Sequence, residues 1–141
     1  MRTQYLDRSF IDSLLKALTL YTNMTQQLDT GRAGEQLAVE FLAGKGWQII
    51  DRNWRSSHWE LDIVATQNGV LHFVEVKTKH GRAYGNPEDQ VGRSKFRYLA
   101  RAAEQFLLRH PGWKRIQFDI VAITLLKNKP PEIVLIEDIF Y

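Results

Sequence analysis

The sequence predicts an α/β domain, a mixed β-sheet with helices packed against it. Three observations predict it. Segments with helical and alternating spacing follow one another as α-α-β-β-β-α-β-β along the 141 residues. Asn68-Gly69 separates two strand-like segments, the strongest short-range hairpin signal. Asn86-Pro87-Glu88-Asp89 has the form of a helix start, with a cap, a proline at the first position and acids in the first turn.

Taken in order, residues 8–28 carry Phe10, Ile11, Leu14, Leu15, Leu18 and Tyr21 at helical spacing. Packing of this amphipathic helix on the body of the domain is the plain expectation; a second chain or a membrane surface are the alternatives. Asp29 and Thr30 are cap residues before a second helix, about 31–45, whose stripe is Ala33, Leu37, Ala38, Phe41 and Leu42. Gly44 and Gly46 end it. Strands are expected at Trp47 to Trp54, Trp59 to Thr66 and Val70 to Lys79. A loop over 80–86 leads to a helix reaching about Arg109, with a break at Gly92, and His110-Pro111-Gly112 stops it. Lys114 to Leu126 and Glu132 to Ile139 read as the last strands, joined by a turn at Asn128 to Pro131.

Composition narrows the function classes. The chain has no cysteine, which excludes disulfides and thiolate metal sites. No apolar run approaches the roughly 20 residues that span a bilayer, and Asp7, Asp12 and Lys16 interrupt any signal-like stretch. A cytoplasmic protein without a membrane partner is expected. The net charge of +3 and pI of about 9.3 suit an anionic partner.

The hairpin carries the chemistry. A two-residue turn at Asn68-Gly69 pairs Gln67 with Val70 and, counted outward, sets Asp62 opposite Glu75 and Glu60 opposite Lys77. Alternation then puts these four on one face and leaves Trp59, Leu61, Ile63 and Ala65, with His72, Val74 and Val76, as the core face. Opposed like charges destabilise a sheet, so Asp62 and Glu75 call for a cation between them or a proton on one of them. Paired carboxylates suit a hard divalent ion, Mg2+ above all, with Mn2+ as a substitute. Lys77, two residues beyond Glu75, can orient a water or neutralise charge building on a phosphate. An exposed polar face with a Glu60–Lys77 ion pair is the plain alternative. Glu35 and Lys95 fall on the sheet-facing stripes of their helices, where a charged residue is unusual.

These residues resemble a known pattern. Asp62 followed by Glu75-Val76-Lys77 on the next strand resembles the PD-(D/E)xK nuclease superfamily, and the ordered set is similar to the YraN-like family of predicted endonucleases. The set is Gly31-Arg32-Ala33-Gly34-Glu35, Gly46-Trp47, Arg52-Asn53-Trp54-Arg55, Glu60-Leu61-Asp62-Ile63-Val64, Phe73-Val74-Glu75-Val76-Lys77, Gly85, Val91, Lys95 and Phe118-Asp119. The resemblance implies a restriction-endonuclease-like core over 29–141, behind an N-terminal helical extension over 1–28. It implies a metal site of Asp62, Glu75 and the Val76 carbonyl, a catalytic Lys77 and a helper acid at Glu35. The implied activity is Mg2+-dependent hydrolysis of DNA, branched or junction DNA included. An inactive nucleic-acid-binding module on the same fold is the alternative, and a homodimer would suit a two-strand cut. Two departures stand out: Trp59 where the family usually has glycine, and Lys79 where it often has arginine.

Basic residues surround the motif. Arg93, Arg97 and Arg101 form a ridge on the helix that carries Lys95, Lys79 and Arg82 lie just past the catalytic strand, and Arg52 and Arg55 lie near the preceding turn. Together they could track a phosphate backbone. Trp54, Trp59 and Tyr84 are candidates for base stacking, although Trp59 falls on the apolar face. His72 reads as a satisfied buried histidine.

Overall fold

The computed structural model describes residues 2–5, 8–24, 30–81 and 92–140. Asp29, Arg82, Tyr84, Gly85 and the Asn86–Val91 helix start lie outside these residues. One six-stranded sheet runs in the order β1-β6-β5-β4-β3-β2. Its strands are β1 (Arg2–Tyr5), β2 (Gln48–Ser56), β3 (Trp59–Gln67), β4 (Val70–His80), β5 (Ile116–Leu125) and β6 (Glu132–Glu137). Three helices flank it: α1 (Arg8–Met24), α2 (Thr30–Gly44) and α3 (Arg93–Arg109). Neighbouring strands are antiparallel except β4 and β5. That parallel pair needs a crossover, and α3 lies within it. No helix among the described residues is long and apolar enough to cross a membrane.

The sequence expected one apolar face on the hairpin; both faces are covered. On one side Val64, Leu71, Phe73, Ile120 and Ile136 pack under Leu99, Ala102, Ala103 and Phe106 of α3. On the other Ile63, Ala65, Val74, Val121 and Leu135 pack under Leu37, Ala38, Phe41 and Leu42 of α2, with Leu14 of α1. The reason is that the crossover helix α3 covers one side of the strands and α2, which precedes β2, covers the other. The unbroken buried run from Val70 to Glu75 records it. Trp54, a candidate for base stacking, is buried in the α3-side core and meets Phe106 edge-on at 5.4 Å. Helix α1 packs on α2 through Phe10 and Phe41, ring centroids 5.6 Å apart, and β1 pairs with β6 to extend the sheet.

The expected break at Gly92 is the start of the described helix. Gly92 is extended and stands at the N-cap of α3. The Asn68-Gly69 turn forms as expected, both residues at positive φ, and pairing runs from Gln67↔Val70 through Ile63↔Val74.

His72 is buried and satisfied. Its Nδ1 lies 2.6 Å from Asp119 Oδ2, and its ring packs 4.1 Å from that of Trp47. Asp119, fully buried, also accepts from Gln117 Nε2 at 2.8 Å and from the Asp138 N–H at 2.9 Å. The carboxylate thereby joins β4, β5 and the end of β6 on the α2 side. Asp119→Asn keeps the shape but weakens these bonds. The expected loss is about 1–3 kcal/mol, measurable as a lower urea midpoint at unchanged slope.

Candidate active site

The centre of the motif lies where β3 leaves β4. Strict alternation breaks between Leu61 and Ile63: Leu61 packs with Trp54 and Val64 on the α3 side, and Ile63 packs on the α2 side. Two backbone features coincide with this break. The recorded pairing of β3 with β4 stops at Ile63↔Val74, and Asn53, in the β2 segment beside it, has φ +50°. Irregularities of this kind re-aim side chains next to functional sites. Here the residue re-aimed is Asp62. Its Oδ2 accepts the Val76 N–H at 2.9 Å, so a side chain takes the donor at the point where regular pairing has ended.

Glu75 follows Leu71 and Phe73 on the α3 face of β4 and is only 5% exposed. Two lysines meet its Oε1: Lys95 from the first turn of α3 at 3.2 Å and Lys77 at 3.5 Å. Lys95 also lies over the ring of Tyr98, 5.0 Å from its centroid. Burial, then the charge of Glu75, push the Asp62 carboxyl up to about 7, against the Val76 N–H and Lys95, which lower it. A hydrogen bond from Asp62 to Glu75 adds to the rise. Two carboxylates thus share a desolvated notch, with an adverse interaction that a bound divalent cation would relieve. Their oxygens and the neighbouring Val76 carbonyl are the hard donors that Mg2+ takes. The donor set fits that ion.

Other expected site residues fall elsewhere. Glu60 does not face Lys77; it pairs with Arg55 at 3.1 Å, because β3 keeps its ladder with β2 after leaving β4. Glu35 is half-buried in the first helical turns of α2, which packs on the other face of the sheet. Among the described residues no group of three or more His, Cys, Asp or Glu is gathered to hold a metal. Arg93 and Arg97 are exposed on α3, as is Arg101, which bonds Glu104 at 3.1 Å. Lys79 is half-buried further along β4. Sequence reasoning missed Tyr98, whose signal was its place three residues after Lys95, on the side of α3 that faces the sheet.

Helix α2 approaches β4 closely because Gly34 has no side chain. A Cβ there would stand 1.7 Å from Thr78 Oγ1 and 2.8 Å from Thr78 Cβ. Thr78 follows Lys77 directly. Gly34→Ala forces helix and strand apart and is expected to lower stability by about 1–3 kcal/mol, readable as a depressed thermal midpoint.

Fold and site together define an α/β protein, a mixed sheet compatible with a restriction-endonuclease-like core, with a two-carboxylate, two-lysine centre. The profile of "Uncharacterised protein family UPF0102" matches residues 34–123. The chain is 42% identical over 120 residues to a UPF0102 protein of Rhodococcus opacus (strain B4), covering 83% of this chain and 100% of that one. It is 36% identical over 118 residues to one of Flavobacterium psychrophilum, covering 84% and 98%. With one of Persephonella marina it shares 39% over 94 residues, covering 66% and 81%. The chain belongs to the UPF0102 family, the YraN-like family that its ordered motif resembles.

Proposed function

We propose that this protein is a Mg2+-dependent endonuclease that hydrolyses phosphodiester bonds in DNA. The observation that carries the reading is the carboxylate pair at the strand break, with Lys77 and Lys95 on the same glutamate. Asp62, Glu75 and the Val76 carbonyl would hold the ion. Bound there, the ion supplies Lewis acidity and charge neutralisation at a phosphate.

The chain's own groups do the rest. Lys77 directs the attacking water and offsets the negative charge that grows on the phosphoryl oxygens. Lys95, two residues from Arg93 and Arg97 on the same helix, binds a phosphate oxygen. The arginine ridge carries the strand past the notch and makes affinity fall with salt. Glu35 acts at most through an intervening water. Branched or junction DNA is included among the proposed substrates.

The test is cleavage of branched, single-stranded and duplex DNA with Mg2+ or Mn2+ by wild type, Asp62→Ala and Lys77→Ala. Loss of cleavage in both variants is expected. Equal cleavage by all three would discard the mechanism. Binding that needs no divalent ion and survives Glu75→Ala, with no cleavage by wild type, would leave a non-catalytic binding module.

A further inference from the structure

We infer that Tyr98 is a positioning residue, which holds β3 away from β4 and so keeps Asp62 turned toward Val76; its use in metal binding rests on the function proposed above. The hydroxyl of Tyr98 makes two hydrogen bonds across to the start of β3. It donates to the His58 carbonyl at 2.7 Å and accepts the Glu60 N–H at 2.9 Å. Those two groups flank Trp59, two residues before the strand break. One side chain from α3 therefore fixes the backbone that leads directly into Asp62.

The same tyrosine touches the other half of the centre. Lys95, which lies over its ring, is the lysine that reaches Glu75. A path of direct contacts thus runs from the Glu60 N–H to the Tyr98 ring, to Lys95 and to Glu75. Helix α3 sets the spacing between the two carboxylates from one turn, Lys95 to Tyr98.

Trp59 has a clear place in this arrangement. Its ring lies 5.1 Å from that of Tyr98 and 4.2 Å from that of His58, and it packs against the α3-side core. A bulky residue before Glu60 is accommodated by lying against Tyr98. Ring packing fills the gap under the turn, and the hydroxyl bonds set its height. The two contributions separate by mutation, since Tyr98→Phe removes both hydrogen bonds and keeps the ring under Lys95 and Trp59.

The experiment compares wild type, Tyr98→Phe and Trp59→Leu in full-length, 15N-labelled protein. One arm reads the Val76 amide by its proton shift and hydrogen exchange. The other reads Mn2+ affinity by calorimetry. Tyr98→Phe is expected to move the Val76 amide out of its carboxylate-bonded position and to speed its exchange at least about tenfold. Mn2+ binding is expected to weaken about tenfold, the size typical of losing a group that orients a metal ligand. Trp59→Leu, which keeps the hydroxyl, is expected to leave the Val76 amide in place. An unchanged Val76 amide in Tyr98→Phe would overturn the inference, and so would its displacement in Trp59→Leu alone. The amide arm decides the brace by itself; a wild type that binds no Mn2+ would sink the proposed function and leave that comparison intact.

Discussion

Asp62→Asn is expected to stabilise the protein, and by an amount that grows with pH. Asparagine still accepts the Val76 N–H and can donate to Glu75, so the local bonding survives. What disappears is the adverse charge. Asp62 holds its proton up to about pH 7 in the folded chain, through burial and the charge of Glu75. In the unfolded chain it loses that proton near its ordinary value of 3.8. Between these values the folded state binds more protons, so stability falls as pH rises, and above about 7 the full loss is present. The loss is on the order of 2–4 kcal/mol. Near pH 4 variant and wild type should melt within a degree or two of each other. At pH 8 the variant should melt higher by about 5–10 °C for a chain of this size. Melting curves at four or five pH values check this; a gap that stays constant with pH would show that the carboxylates do not repel.

The second large effect is on catalysis. Lys77→Met keeps the aliphatic stem against β4 and removes the cation 3.5 Å from Glu75. A group that offsets charge only in the transition state lowers kcat with little change in KM. The expected loss in kcat is about 10²–10³-fold, the scale for removing one stabilising donor. Lys95→Met should behave differently. If its ammonium binds a ground-state phosphate, KM should rise about tenfold and the salt dependence of binding should flatten by close to one unit of slope. Steady-state cleavage at several salt concentrations distinguishes the two lysines. Identical profiles for both variants would contradict the division of roles.

Much of this arrangement was legible in the sequence because it rests on local chemistry. Asn68-Gly69 sets the inner register by turn geometry, and the pairs from Gln67 to Ile63 follow from it. The stripe of Leu99, Ala102 and Phe106 sets the buried face of α3, and with it the inward position of Lys95. The rest depends on distant contacts. Counting outward from the turn assumes a regular ladder, and this ladder ends before Asp62. Nothing local marks that end: Asn53 at positive φ sits on another strand, and Tyr98 reaches in from a helix 38 residues away in sequence. Glu60 was assigned to Lys77 for the same reason, and it pairs with Arg55 across β2 instead. The two-sided core could have been read from the run Val70 to Val74, which is too apolar for a strand with one wet face. β1 offered no such signal, since three of its four residues, Arg2, Thr3 and Gln4, are polar, and it forms a strand in pairing with β6.

The most direct test of the central claim is anomalous diffraction from crystals soaked in Mn2+. One strong peak is expected between the Asp62 and Glu75 carboxylates and within bonding distance of the Val76 carbonyl, and it should be lost in Asp62→Asn. Crystals saturated with Mn2+ that show no density there, or an ion bound only at a site without these two side chains, would contradict the account.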